Sequence, residues 1–176
     1  MVPWHARGLA SLDKAEFISR YGGIYEHSEW VAEQAYEGIG ARFSPDTVRD
    51  ALARCVDDAD RESKLTLIRA HPDLAGRAAV QGTLTDASTA EQQSAGIDQC
   101  SAEEYARFQD FNARYKSKFG FPFVIAVRGK GRVEILEAFE RRLSNSQQTE
   151  FATAIAEIHK IARLRLQQLH SEVSDG

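Results

Sequence analysis

His71 is the residue of this sequence best placed, by type and by position, to move a proton. It follows a stretch with helical periodicity, and Pro72 ends that helix because a residue before proline disfavours helical geometry. A helix C-terminus favours a protonated imidazole, which suits a general acid near neutral pH. The alternative is that His71 only caps the last carbonyl groups of the helix, and the local sequence alone favours that alternative.

A second candidate lies in the segment DASTAEQQSAGID, where Ser88 and Glu91 have the spacing of a helix capping box. A capping box needs no function beyond starting a helix. The free N–H groups of a helix N-terminus also attract anions, and Ser, Glu and Gln side chains in the same turn can contact one ligand. The spacing is compatible with both interpretations.

Arg165 is the third candidate, because it falls on the apolar face of the last predicted helix. At about 100° per residue it lies within the stripe of Ile155, Ile158 and Ala162, whereas Arg163 points away from that stripe. A buried arginine needs an anionic partner, since an unpaired charge is costly to bury. The partner is either a carboxylate of the protein or a carboxylate of a ligand, which a guanidinium binds through two parallel hydrogen bonds.

Other common catalytic motifs are missing from the sequence. It contains no Gly-rich phosphate loop, no Gly-x-Ser-x-Gly elbow and no Cys-x-x-Cys pair. The five histidines do not show a metal-ligand spacing such as His-x-x-x-His, which argues against a metal site. If the protein is an enzyme, we expect it to work with side chains and with neither a metal nor an organic cofactor.

The elements that position these candidates read as helices almost throughout. Ser11 or Asp13 caps a first helix. Ser44 is the N-cap of a later helix with Pro45 at its first position, and Ser101 opens another capping box. The exception is KFGFPFVIAVRGKG, where five apolar residues run together before a Gly-Lys-Gly turn. A single strand cannot form a sheet. We therefore predict an all-α, single-domain helical bundle over residues 1–176, with one short extended segment near residues 121–128.

Composition narrows the function classes. The 176 residues are 43% hydrophobic and 27% charged with a formal net charge of -4, which fits one globular domain and argues against general nucleic-acid binding. The two cysteines fit a reducing compartment better than a disulfide framework. No apolar run is long enough to span a membrane, and the last residues lack the Ser-Lys-Leu peroxisomal signal. We expect a bacterial, cytoplasmic protein without a membrane or nucleic-acid partner.

Taken together, the motifs resemble a known family. HPDLAGR, STAEQQSAGID, FNARYKSKFGFPFVIAVRG and AEIHKIARLRL occur in the order found in the decarboxylases of 2-oxo-4-hydroxy-4-carboxy-5-ureidoimidazoline (OHCU) of urate degradation, and GGIYEHSEWVAE is similar to their N-terminal pattern. The resemblance covers nearly the whole chain. It implies an all-α enzyme that converts OHCU to (S)-allantoin and CO₂ without a metal or organic cofactor, and it suggests a homodimer.

The resemblance also implies roles for single residues. His71 matches the family's catalytic proton donor, and Glu91 would orient either the imidazole or the substrate hydroxyl. Arg165 matches an arginine near the substrate. The implied substrate-binding positions are Pro72, Ser88, Thr89, Ala90, Glu91, Gln92, Phe123, Val124, Ile125, Ala126, Val127 and Arg165.

The family resemblance gives the extended segment a function. The substrate's ureido and ring-amide groups alternate hydrogen-bond donors and acceptors, and an extended backbone presents its own N–H and C=O groups in the same way. We therefore predict that Phe123–Val127 contacts the substrate through its main chain. The alternative is a buried connector. Two other functions stay open: a non-catalytic helical module that binds a ureide or purine breakdown product, and a helical interaction protein.

Overall fold

The computed structural model describes residues 12–40, 43–76 and 84–174. Within these ranges the chain forms eight α-helices and one 3₁₀ turn, Ile97–Gln99, and contains no β-strand, which confirms the all-α prediction. The helices are α1 Lys14–Tyr21, α2 Glu29–Ile39, α3 Pro45–Asp57, α4 Arg61–Arg69, α5 Asp86–Ser94, α6 Ala102–Phe119, α7 Arg132–Leu143 and α8 Gln147–Ser174. None of these helices combines the length and the hydropathy that crossing a bilayer requires.

Three predicted helix starts are confirmed in detail. The Asp13 carboxylate accepts a hydrogen bond from the Glu16 N–H at 2.9 Å, and the Glu16 carboxylate accepts one from the Asp13 N–H at 2.9 Å. Ser44 caps α3 with Pro45 at its first position, and Ser101 caps α6 in a capping box with Glu104. Each cap satisfies backbone donors that the first helical turn leaves without an intrahelical partner.

The predicted capping box at Ser88 and Glu91 is wrong. Helix α5 starts earlier, and its N-cap is Thr85, whose hydroxyl accepts a hydrogen bond from the Ser88 N–H at 3.2 Å. Ser88 is therefore the third residue of the helix rather than its cap. Thr is also an accepted N-cap residue, and Thr85 caps α5 three residues before the predicted position.

The described residues divide into two compact units. The first contains the residues up to Ala70 together with those from His159 onward, and the second is His71–Ile158. The single domain over residues 1–176 stays a prediction. Each unit has its own core.

The first unit packs α1 on α2 and α2 on α3 around an apolar core. Phe17, Val48 and Leu52 are fully buried. Two tyrosines of this unit have hydroxyl groups within hydrogen-bond distance of a histidine, as is usual for a buried phenol. The Tyr21 hydroxyl lies 3.0 Å from His170 Nε2, and the Tyr25 hydroxyl lies 2.9 Å from Nδ1 of His159.

The core of the second unit is aromatic. Tyr115 of α6 contacts three rings edge-on, those of Phe121, Phe123 and Phe139. The rings of Phe123 and Phe139 stack with their centroids 3.8 Å apart and their planes 9° from parallel. Such rings supply much apolar surface and a defined geometry. This cluster fixes the start of the extended segment against α6 and α7.

Candidate active site

The predicted proton donor follows the end of helix α4. The helix ends at Arg69 with Ala70 as its C-cap, which confirms the stop that Pro72 predicts. His71 is the next residue, and only 8% of its surface is exposed. A largely buried imidazole at the start of a loop suits a proton donor whose position must be fixed.

The loop after His71 has a constrained backbone. Ala75 has a φ angle of 52°, in the left-handed region that a residue with a Cβ seldom adopts. At Gly76, a Cβ atom would lie 2.7 Å from the Cβ of Asp73, so this position accepts no side chain unless the loop shifts. Backbone strain of this kind persists only where the surrounding structure holds it.

Helix α6 holds this loop through one polar face. Asn112 donates a hydrogen bond to the Leu74 carbonyl at 2.9 Å, and Gln109 donates to the Ala75 carbonyl at 2.7 Å. One turn further, the Lys116 ammonium lies 2.6 Å from the Asp73 carboxylate. The spacings of three and four residues place these side chains on one side of the helix. Sequence analysis missed this set, although polar residues at helical spacing on an otherwise aromatic helix were a usable signal.

Helix α5 is joined to the same loop. Gln92 Oε1 accepts a hydrogen bond from the Ala75 N–H at 3.2 Å. Ser88 and Gln92, four residues apart, are both buried, whereas Thr89 and Glu91 are half-buried and Ala90 is exposed. The structure therefore brings the loop after His71 together with the buried face of α5. The role of Glu91 toward His71 stays a prediction.

A cavity of about 470 Å³ opens beside α5. It has mostly apolar walls, and four of its lining residues belong to the loop and helix just described: Ala75, Thr89, Gln92 and Gln93. Cavities of this size accept small organic molecules. In the described part of the chain, no three His, Cys, Asp or Glu side chains cluster closely enough to hold a metal ion.

The segment Phe123–Val127 is buried along its whole length and has neither helical nor strand structure. Two of its backbone groups are bonded to side chains: the Val124 carbonyl to Arg142 at 2.7 Å, and the Ala126 N–H to Glu157 at 2.9 Å. Among the described residues, the peptide N–H and C=O of Ile125 have no hydrogen-bond partner. Buried peptide groups are nearly always paired, so this residue has capacity for a ligand or a water molecule.

The side chain of Phe123 packs into the protein core. Its ring is packed between Tyr115 and Phe139, and the guanidinium of Arg142 lies 4.4 Å from its centroid. Phe123 therefore belongs to the aromatic core of the second unit. Any contact of this position with a substrate has to involve its main chain.

Arg165 belongs to the first unit and faces inward as its position in the apolar stripe predicts, with 7% of its surface exposed, whereas Arg163 is exposed. Its Nη2 lies 2.8 Å from the carboxylate of Glu26, and its Nη1 donates to the Ile24 carbonyl at 3.3 Å. The alternative of a structural ion pair is thus realised. Binding of a substrate carboxylate by Arg165 stays a prediction.

Sequence analysis missed two buried carboxylates. Glu26 is the partner of Arg165, and Glu150 is fully buried and accepts hydrogen bonds from Arg142 at 2.8 Å and from the Tyr115 hydroxyl at 3.1 Å. The only sequence signal for Glu26 was indirect: a buried Arg165 needs an anionic partner. Glu150 carried a weaker signal, because a glutamate in the first turn of a helix is ordinary.

Fold and site together define an all-α protein that carries a buried histidine on an anchored loop and a buried, partly unbonded peptide segment. The family model described as OHCU decarboxylase matches residues 10–167. The chain belongs to the OHCU decarboxylase family.

Individual relatives agree with this assignment. A protein of Haloferax volcanii named 2-oxo-4-hydroxy-4-carboxy-5-ureidoimidazoline decarboxylase is 48% identical over 160 residues, which cover 91% of this chain and 92% of the relative. A uric acid degradation bifunctional protein of Bacillus sp. is 40% identical over 93% of this chain, which spans 32% of that longer protein. A crystal structure of (S)-allantoin synthase superposes with a TM-score of 0.71 at 32% identity, covering 93% of this chain and 53% of the other.

Proposed function

We propose that this protein decarboxylates OHCU and yields (S)-allantoin and CO₂. The observation that carries the proposal is the 48% identity, over nearly the full length of both chains, to a Haloferax volcanii protein named for this decarboxylation. The buried histidine just after a helix end is a feature that such a reaction needs, and two of the predicted substrate-binding residues, Thr89 and Gln92, line the cavity beside α5.

The substrate supplies the electron sink for this reaction. The bond between the carboxylate carbon and the hydroxyl-bearing ring carbon breaks and CO₂ leaves. The electron pair forms a C=C bond to the ureido-bearing carbon and displaces the π pair of the adjacent C=N bond onto nitrogen, which takes up a proton. The resulting enol loses its hydroxyl proton to become the carbonyl of allantoin, and the ureido-bearing carbon takes up a proton, so that one proton is consumed in total. Because the ring delocalises the charge, the protein has to position the substrate, stabilise the charge and deliver the proton to one face.

His71 is the proton donor in this mechanism. Imidazole changes protonation state near neutral pH, so it can give up a proton and recover it from solvent within one turnover. Its low exposure and the hydrogen bonds that hold the following loop to α5 and α6 support a fixed direction of proton delivery. A fixed direction is what produces one enantiomer.

Glu91 acts beside His71 in one of two ways. It orients the imidazole, and as a nearby anion it then favours the protonated form of the histidine. Alternatively it accepts a hydrogen bond from the substrate hydroxyl as that group becomes a carbonyl. Its half-buried position on α5, one residue before Gln92, supports either role.

The substrate's ureido and ring-amide groups bind to the main chain of Phe123–Val127. The unbonded peptide groups of Ile125 support this proposal, since one N–H and one C=O match the alternating donors and acceptors of a ureide. Arg165 holds the substrate carboxylate loosely. A tight grip would stabilise the ground state and slow the loss of CO₂.

The experiment is to generate OHCU in solution from urate, add the protein, and follow the circular dichroism of allantoin. OHCU also decays to racemic product, so enantiomeric excess is the measurement that distinguishes catalysis from spontaneous decay. His71→Asn should lower the enzymatic rate by about 10²–10⁴-fold. His170→Asn, the same substitution outside the predicted site, should keep the rate near that of the wild type.

A racemic product with the wild-type protein would contradict the decarboxylase proposal and favour a non-catalytic module that binds a ureide. Near-normal formation of (S)-allantoin by folded His71→Asn would remove this histidine from the mechanism. Far-UV circular dichroism and the melting temperature of each variant establish that it is folded before its rate is interpreted.

We further propose a homodimer located in a microbial cytoplasm. The family resemblance suggests the dimer, and relatives from Haloferax volcanii and Bacillus support a microbial setting. Light scattering on the purified protein tests the first point: a mass near the 19.6 kDa of one chain would contradict it. Fractionation of the source cells tests the second.

A further inference from the structure

Two charged side chains hold the segment Phe123–Val127 on either side of Ile125. Arg142 Nη1 donates to the Val124 carbonyl at 2.7 Å, and the Ala126 N–H donates to Glu157 Oε2 at 2.9 Å. The peptide N–H and C=O of Ile125, the residue between these contacts, have no hydrogen-bond partner in the described ranges. The side-chain contacts thus fix the two flanking peptides and leave the middle residue available.

Arg142 is itself held in place from three directions. Its Nε lies 2.8 Å and 3.1 Å from the two carboxylate oxygens of Glu150, which is fully buried. The Tyr115 hydroxyl donates to the same carboxylate at 3.1 Å, and the guanidinium lies over the Phe123 ring. Burial raises the pKa of the Tyr115 phenol, which therefore stays a hydrogen-bond donor at neutral pH. A guanidinium fixed in this way holds the Val124 carbonyl in one position.

We infer that Arg142 and Glu157 are positioning residues, which hold Val124 and Ala126 so that the peptide groups of Ile125 bind the amide groups of a ureide substrate. The inference rests on the proposed function. Neither side chain touches the substrate; both act through the backbone. This positioning role explains why the buried ion pair of Arg142 and Glu150 is kept in an otherwise aromatic core, although its desolvation is costly. Apolar residues of similar volume are often at least as stabilising at such positions.

Two sets of variants test the inference. Glu157→Ala removes the acceptor of the Ala126 N–H, and Glu140→Ala, at an exposed position of α7, is its control. Replacing Arg142 alone would leave Glu150 buried and uncompensated, so the second variant is the double substitution Arg142→Gln/Glu150→Gln, which keeps the net charge. Arg141→Gln, the exposed neighbour on the same helix, is the control for that variant.

Two measurements are made on each folded variant. The first is kcat and KM for (S)-allantoin formation, with the enantiomeric excess of the product. The second is the ¹H–¹⁵N amide signal of Ile125 and its hydrogen exchange with and without (S)-allantoin. We expect the wild-type Ile125 amide to shift and become protected when (S)-allantoin binds. Both test variants should lose this protection and roughly ten- to a hundredfold of kcat/KM, because small displacements of positioning groups have effects of that size. The controls should behave like the wild type.

The outcomes separate this inference from the proposed function. A wild-type protein that gives racemic allantoin overturns the proposed function, and the inference with it. An active wild type whose Ile125 amide is unaffected by (S)-allantoin overturns the inference alone. The same holds if folded Glu157→Ala and the double variant both keep the wild-type kcat/KM and protection of Ile125. Loss of melting temperature without these two effects would assign the pair a purely structural role, and would equally overturn it.

Discussion

Arg165 and Glu26 form a buried ion pair, with Nη2 of the arginine 2.8 Å from Oε2 of the glutamate. A second nitrogen of the guanidinium donates to the Ile24 carbonyl. The pair compensates the buried charge of each side chain and fixes the position of the guanidinium within the first unit.

Stability measurements test the structural role of the ion pair between Arg165 and Glu26. Arg165→Ala leaves the Glu26 carboxylate buried without its partner, and we expect a loss of about 3–5 kcal/mol in the free energy of unfolding. Arg163→Ala, at an exposed position of the same helix, should change it by no more than about 0.5 kcal/mol. Urea denaturation of both variants measures the difference. Equal effects of the two substitutions would contradict the assignment of the inward-facing side.

Activity measurements test the proposed binding of the substrate carboxylate by Arg165. The double substitution Glu26→Gln/Arg165→Met removes both charges, so it should recover most of the stability that Arg165→Ala loses. If Arg165 holds the substrate carboxylate, kcat/KM for (S)-allantoin formation stays at least about tenfold below the wild type, which corresponds to one charge-assisted hydrogen bond. Recovery of wild-type kinetics in this double variant would limit Arg165 to a structural role.

Glu91→Gln tests the carboxylate next to Gln92. The substitution keeps the size and polarity of the side chain and removes its charge, so it should lower kcat by about 10²-fold while the melting temperature changes little. Glu103→Gln, an exposed position near the start of α6, is the control. A Glu91→Gln variant with the rate of the control would exclude a role for this charge in catalysis.

Gly76→Ala tests the constraint on the loop after His71. The added Cβ would lie 2.7 Å from the Asp73 Cβ, so the loop must shift, and we expect a loss of about 1–3 kcal/mol in stability together with reduced activity. The control is Gly38→Ala, in α2, where an added Cβ meets no atom within 4 Å. That substitution should stabilise the helix by up to about 1 kcal/mol. Thermal unfolding of both variants provides the measurement, and unchanged stability in Gly76→Ala would show that the loop adapts freely.

His170 should make stability depend on pH in mildly acidic solution. Burial, with a smaller contribution from Arg20, lowers its pKa below the ordinary value of 6.5, so the unfolded chain binds a proton more readily than the folded one. Its contribution is therefore fully present above pH 6.5 and is lost as the pH falls from 6.5 toward the lower folded pKa. Urea midpoints across this range should fall less steeply in His170→Asn than in the wild type. Parallel curves for the two proteins would contradict the assignment to His170.

The helices could be predicted from the sequence because their signals are local. A cap such as Asp13 or Ser44 is bonded to residues three positions away, and Pro72 acts on its immediate neighbour. The inward side of α8 at Arg165 followed from periodicity alone. Where two local signals competed, as with Thr85 and Ser88 at the start of α5, the prediction took the wrong one.

The contacts that hold the site could not be predicted, because they join residues far apart in sequence. Asn112 bonds the carbonyl of Leu74, 38 positions earlier, and Glu157 bonds the N–H of Ala126, 31 positions earlier. No spacing rule links such pairs, and their partners are backbone groups that carry no side-chain signature. The family resemblance supplied the site residues, but the residues that hold the backbone in place emerged only from the fold.

Of the two tryptophans of the sequence, Trp30 lies in α2 of the first unit, Trp4 lies outside the described residues, and the unit His71–Ile158 contains neither. The emission of Trp30 during denaturation therefore follows the first unit, whereas far-UV ellipticity follows the helices of both units. Superimposed transitions would indicate one cooperative domain, and separate transitions would indicate two. Trp30 is thus an intrinsic fluorescent probe of the first unit. A melting curve recorded by fluorescence alone would not detect loss of the structure around His71.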